Sequence, residues 1–212
     1  APKGLDKLIE MHLDLASAET TFDIEIRSIN LGNSSLVFED GNISVRAFPQ
    51  NHRIPCYGYS FTEPPKLRNL IKEKIGKLGL SVDKIRALKA GEDVESESGE
   101  CIRAKDVSSE PKPSKRYVYC TDTTPLTLPD FAENADVLYH ETTYDHSPSE
   151  KALARFHSTS IQAAEVATKA KAKQLVIGHF SSRYRNSELL LSEAQSVFPN
   201  TISAEDGLTI QI

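Results

Sequence analysis

The sequence predicts an α/β fold, and three observations carry that expectation. From Arg116 onward, short apolar runs alternate with helical stretches, the pattern of strands packed against helices. Before Pro64 the chain reads mostly as β structure. Its 212 residues fit one ordinary domain with room for a buried core.

The elements follow in order. Leu5, Leu8, Ile9 and Leu13 are spaced for an amphipathic helix over 4–15 with one core face. Residues 22–29 alternate apolar and charged side chains, which predicts a half-buried strand. Segments 36–39 and 42–48 form a hairpin about Glu39-Asp40-Gly41, because Asp-Gly is a strong tight-turn signal. A further strand covers 57–61. Pro64-Pro65 ends this run, and helices are expected over 66–79 and 82–90. Leu67, Leu70, Ile71, Ile75 and Leu78 share one face of the first. This stretch is basic: eight Lys and Arg from Lys66 to Lys89 oppose Glu73 and Asp83, a surplus of six. An acidic, Ser-rich connection (91–100) and a Pro-containing loop (110–114) come next. Strands are expected at 116–121, 136–140, 174–177, 201–204 and 208–212. A turn or short helix is expected at 128–134, and helices at 160–172 and 187–198.

Composition narrows the class. With 39% hydrophobic and 26% charged residues the chain is globular, not disordered, collagenous or coiled-coil. No stretch approaches the length of an apolar membrane span, and the N-terminal residues lack a signal-peptide pattern. Three cysteines (Cys56, Cys101, Cys120) at irregular spacing argue against a disulfide framework or a Cys-based zinc site, and favour a reducing compartment. A net charge of −5 argues against a uniformly basic nucleic-acid binder.

The chemistry gathers at strand ends. Asp122, His140-Glu141 and His179 each close an apolar strand, at the edge where open α/β sheets bind ligands. A buried carboxylate or imidazole there is costly unless paired or metal-bound. Two imidazoles and an Asp make an acceptable zinc set. The other reading is that each is a loop-edge residue bonded to backbone.

Taken together, certain segments resemble the ribonuclease Z family of the metallo-β-lactamase superfamily. They are Pro2-Lys-Gly-Leu5, His52 with Gly58-Tyr59, Thr121-Asp122-Thr123, His140-Glu141-Thr142-Thr143, His157-Ser158-Thr159 and Gly178-His179-Phe180-Ser181-Ser182-Arg183-Tyr184. They occur in family order over nearly the whole chain. The resemblance implies a metallo-β-lactamase-like αββα sandwich with a helical basic insert. It implies a zinc-dependent endoribonuclease that removes the 3′ trailer of precursor tRNA, working in the cytoplasm as a homodimer. His52 and His179 would each ligate one of two zinc ions and Asp122 would bridge them, the ions about 3.5–4 Å apart. His157 would donate a proton to the leaving 3′ oxygen, oriented by Glu141. Ser160 would cap the following helix. Arg183 would contact substrate, or else sit in a surface ion pair. Segment 64–92 falls where the family inserts its tRNA-binding arm, which points to Lys72, Lys74 and Lys77 as phosphate contacts. That segment lacks the Gly-Pro-rich tip of the bacterial arm, so a solvated helical pair is its other reading. His140 reads as structural, and His12 and His146 as surface residues.

One departure is large. The family's His-x-His-x-Asp-His motif is absent from these residues. The expectation is therefore a sandwich incomplete at its N-terminal side, catalytically incomplete alone, within a longer enzyme. The alternative is a non-catalytic module binding tRNA or protein. A related hydrolase of small substrates is a third reading, disfavoured by the basic insert and the His-Ser-Thr segment.

Overall fold

The computed structural model describes residues 4–27, 29, 35–147 and 149–212. The chain divides into two compact units. One runs to Thr62 and resumes at Lys115; the other is Glu63–Ser114.

Helix α1 (Leu5–Leu15) forms where the leucine spacing predicts it, yet it buries none of its residues. Leu8, Met11 and Leu15 are exposed. The period is local, whereas burial needs a partner surface, so the expected core contact does not follow. Residues 22–27 are irregular, and the expected 22–29 strand also runs into Ser28, outside the described residues. Alternation without a hydrogen-bonding neighbour does not hold a strand. β1 (Ser35–Glu39) and β2 (Ser44–Pro49) form the expected hairpin. Asp40 closes it: Oδ1 accepts from the backbone N–H of Asn42 at 2.7 Å and of Ile43 at 2.8 Å. β3 (Tyr57–Thr62) pairs with β2, Tyr59 opposite Ala47.

The second unit contains β4 (Asn69–Leu70), the single turn α2 (Lys72–Ile75), α3 (Val82–Ala90), β5 (Val94–Glu95), β6 (Cys101–Ile102), the single turn α4 (Ala104–Val107) and β7 (Ser108–Ser109). The helix expected over 66–79 shrinks to α2. Asn69 and Leu70 are drawn into pairing with Ser109 and Ser108, and Gly79 adopts a left-handed φ of 58°. Leu70, Ile75 and Leu78 therefore approach from strand β4, from α2 and from the turn after it. They pack on a small core of Leu88, Ile102, Ala104 and Val107. Arg68 binds Glu110 through both guanidinium nitrogens, at 2.8 and 3.0 Å, and Ser108 through Nε at 2.7 Å. Across the whole unit eleven Lys and Arg meet ten Asp and Glu, so the acidic residues after Ala90 offset the basic ones before it.

The first unit continues with β8 (Arg116–Cys120), β9 (Val137–Glu141), α5 (Ser149–Ala154), α6 (Ser160–Lys169), β10 (Gln174–Gly178), α7 (Glu188–Val197) and β11 (Thr201–Ser203). The turn expected near 128–134 is 3₁₀, Asp130–Ala132. Residues 208–212 are irregular, not a strand. The seven strands form one sheet in the order β1-β2-β3-β8-β9-β10-β11. It is antiparallel as far as β8 and parallel beyond. One face buries Val118, Cys120, Leu138, Leu175 and Ile177 against Ala163, Ala164 and Ala167 of α6 and Leu190 and Ala194 of α7. The alanines let α6 lie close to the sheet. The register also places Tyr59, Tyr119 and Tyr139 side by side, the last two stacked with centroids 4.8 Å apart. Burial pushes the Tyr117 and Tyr139 phenols up to about 12. Among the described residues no helix is long and apolar enough to cross a membrane, and the three cysteines are free.

Asp136 pins the strand starts. Its carboxylate accepts from the backbone N–H of Arg116 at 2.8 Å and from Nζ of Lys173 at 2.9 Å and Lys115 at 3.4 Å. Burial alone would raise its pKa, but these donors and the charge of Lys173 hold it below the usual carboxylate value. A depressed folded pKa gives stability that is present above the unfolded pKa of about 3.9 and lost as pH falls through the folded one. Asp136→Asn is expected to cost about 1–3 kcal/mol at neutral pH. It should also flatten the acid limb of a urea-stability profile below about pH 4. An unchanged acid limb would contradict this account of Asp136.

Candidate metal centre

Because β8, β9 and β10 are parallel, their C-terminal ends share one edge. Asp122 lies two residues past β8, Glu141 ends β9 and His179 follows β10. His157 reaches the same edge from the loop between α5 and α6. Asp122, His157 and His179 present ligand atoms that all lie within 4.8 Å of one another. His179 Nε2 is 3.4 Å from Asp122 Oδ1, and the two side chains are each 39% exposed, so a ligand can reach them. Left-handed backbone marks the spot: φ is 51° at Asp122, 60° at His179 and 62° at Phe156, just before His157. Each such residue costs on the order of 1 kcal/mol, a strain that proteins concentrate at functional sites.

Glu141 organises the cluster from below. It is fully buried. Oε1 accepts from Thr123 N–H at 2.8 Å and from His157 Nδ1 at 2.8 Å. Oε2 accepts from Thr143 Oγ1 at 2.6 Å, Ser158 N–H at 3.2 Å and Thr143 N–H at 3.3 Å. Since a carboxylate only accepts, His157 carries its proton on Nδ1 and turns Nε2 toward Asp122 and His179. His52 lies alongside, its ring centroid 5.3 Å from that of His157, but outside the converging trio. Its Nδ1 donates to the Phe156 carbonyl at 3.1 Å, which leaves Nε2 bare. His140 is buried on the core face, its Nδ1 donating to the Glu141 carbonyl at 2.7 Å. Burial pushes its pKa down, against the opposing pull of Glu141. Its Nε2 has no hydrogen-bond partner among the described residues. His12 and His146 are exposed.

Arg183 lays its guanidinium over the Tyr144 ring, 4.8 Å from the centroid, and donates from Nε to Ser181 Oγ at 3.3 Å. Lys72, Lys74 and Lys77 are exposed in the second unit, and Lys74 Nζ donates to the Asp106 carbonyl at 2.7 Å. The helix after His157 is capped by Thr159, not Ser160. Thr159 Oγ1 accepts from Gln162 N–H, and Gln162 returns the bond to the Thr159 N–H. Ser160, one residue inside the helix, instead donates to Glu193. Two glycines are dictated by neighbours: a Cβ on Gly178 would overlap the Tyr139 ring, and one on Gly58 would overlap Gln50 and Phe48. Burial, then the charges of Asp122 and Glu141, push the nearby Cys56 thiol up to about 11, so it is no thiolate nucleophile. Sequence reasoning gave no role to Thr143 or Ser158, although both lie inside segments that carry the family resemblance, and it missed Tyr144, whose only signal was its place just after one of them.

Asp122 and His179 offer zinc a carboxylate oxygen and an imidazole nitrogen 3.4 Å apart, two donors of the kinds it takes at catalytic centres, and the His157 ring lies against them, near enough to serve a ligand held there.

No protein-family model matches the chain. Individual relatives do. Ribonuclease Z of Bacteroides fragilis (strain YCH46) is 34% identical over 215 residues, covering 100% of this chain and 70% of the relative. That of Parabacteroides distasonis is 37% identical over 213 residues, with the same coverage. The chain belongs to the ribonuclease Z family. Ribonuclease Z of Synechocystis sp. is 37% identical, and the chain spans 66% of its length. Among solved structures, human tRNase Z, short form, superposes with a TM-score of 0.61 at 24% identity, covering 100% of this chain and 66% of that one. The metallo-β-lactamase fold protein YhfI of Bacillus subtilis gives 0.50 at 18% identity over 81% of the chain. The fold is accordingly that of the metallo-β-lactamases. The α/β class expected from the sequence is the one observed, although α3 is the one helix longer than a single turn in Glu63–Ser114.

Proposed function

We propose that this chain forms the larger part of a tRNA 3′-end processing endoribonuclease, a zinc-dependent phosphodiesterase acting on precursor tRNA. The observation that carries the reading is the convergence of Asp122, His157 and His179 over the buried Glu141 carboxylate. Family membership supplies the substrate class. His52, Asp122 and His179 would hold zinc, with ligands beyond the described residues completing a two-ion centre. The His-x-His-x-Asp-His motif that would carry them is not in this sequence. Bound zinc would supply Lewis-acid activation of water and of the scissile phosphate.

His157 supplies the proton. Water adds to phosphorus and gives up a proton to solvent, the bond to the 3′ oxygen breaks, and that oxygen takes a proton from Nε2 of the doubly protonated His157 ring, which solvent then re-protonates. Glu141, bonded to Nδ1–H, holds the ring and stabilises its charged form. Arg183, packed on Tyr144, would meet a phosphate of the substrate. The protein is further proposed to act in the cytoplasm as a homodimer.

Lys72, Lys74 and Lys77 would add phosphate contacts. Replacing all three with Ala should weaken binding of tRNA and reduce the slope of log affinity against log salt by about 2–3. An unchanged slope would return that stretch to the role of a solvated surface. The reading as a whole is tested by zinc content and trailer removal, measured on the chain joined to a segment carrying the His-x-His-x-Asp-His motif. Zinc binding without cleavage would favour a non-catalytic binding module.

A further inference from the structure

We infer that Thr143 is a positioning residue: its hydroxyl relays the Glu141 carboxylate to His179 and sets which ring nitrogen of His179 faces the cluster. Thr143 Oγ1 lies 2.6 Å from Glu141 Oε2 and 2.9 Å from His179 Nδ1. The hydroxyl has a single proton. Glu141 already accepts four other hydrogen bonds and only accepts, so that proton goes to Oε2. The Thr143 oxygen then offers His179 a lone pair, and His179 Nδ1 carries a proton to meet it. Nε2, the atom 3.4 Å from Asp122 Oδ1, is left bare to ligate.

One buried carboxylate thus fixes both imidazoles, His157 directly and His179 through a hydroxyl. Partners behind metal-binding histidines normally do this work. The loop that carries Thr143 is held independently of its side chain. Thr142 N–H donates to the Gly178 carbonyl at 2.7 Å, and Ser181 N–H to the Thr143 carbonyl at 3.2 Å. These bonds clasp the β9 and β10 ends together, so removing the hydroxyl leaves the backbone in place. Valine, of the same shape, is the informative replacement.

The zinc arm of the test rests on the metal-site reading above; the tautomer arm does not. Nitrogen NMR on the metal-free full chain, above the histidine titration range, reports the proton position on each ring. Wild type should show His179 as the Nδ1–H tautomer. Thr143→Val should show a mixture, and Thr143→Ser should restore the wild-type pattern. Zinc affinity, by chelator competition on the same chain, should fall about 10–100-fold in Thr143→Val and recover in Thr143→Ser. A wild-type His179 protonated on Nε2 overturns the relay, and needs no variant to fold. So does a Val variant that keeps both the tautomer and the affinity. A correct tautomer in a protein that never cleaves tRNA would instead overturn the proposed activity and leave the relay standing.

Discussion

Alanine at His157 is expected to slow removal of a 3′ trailer by about 10²–10⁴-fold, the range of a general acid–base group, while zinc content stays unchanged. The two halves of this result test different things. His157 Nε2 faces the same space as the ligand atoms of Asp122 and His179, close enough to ligate or to serve a phosphate held there. A proton donor needs its charged form stabilised, and Glu141 does that through Nδ1 at 2.8 Å. Its side chain is 17% exposed, enough to meet substrate and little enough to be held in one orientation. Loss of zinc in the Ala variant would make His157 a ligand, and the proton donor would have to be sought elsewhere. Zinc measured by elemental analysis beside single-turnover cleavage separates the outcomes.

Replacing Glu141 is expected to have the largest effect on stability. Its carboxylate satisfies three backbone N–H groups, the Thr143 hydroxyl and the His157 imidazole, and it is wholly buried. Glu141→Ala strands all five donors. Each buried unpaired donor costs about 1–3 kcal/mol, softened by relaxation and water entry, so a loss of ~3–5 kcal/mol is expected in urea unfolding. Gln, which keeps one acceptor oxygen, should fall between Ala and wild type. A near-neutral Glu141→Ala would mean the loops at residues 123, 143 and 158 are held by other contacts. The site's geometry would then not depend on this carboxylate.

What the sequence disclosed, and what it hid, follows from range. The strands β3, β8, β9 and β10 and the helices α3, α6 and α7 were legible because each carries its own apolar period or run. The Asp40 turn was legible because its two bonds reach only Asn42 and Ile43. The helix expected over 66–79 failed because Asn69 and Leu70 find partners at Ser108 and Ser109, some forty residues away, which no local period reports. α1 kept its period and lacked a surface to bury it. The site divided in the same way. Asp122, Glu141, His157 and His179 stand out as motif residues at strand ends. The backbone N–H groups on Glu141 and the Thr143 relay come from four separated segments, and only the fold assembles them. His52 was also visible, and the structure sets it beside the trio, against Phe156.

The account's central claim is that this strand-end cluster belongs to a nuclease centre. The most direct measurement is cleavage of a precursor tRNA bearing a 3′ trailer by the chain joined to the His-x-His-x-Asp-His segment, with and without added zinc. The account predicts zinc-dependent release of the trailer at one position, abolished by Asp122→Asn. Full zinc loading with an intact precursor, or cleavage that survives Asp122→Asn, would contradict it.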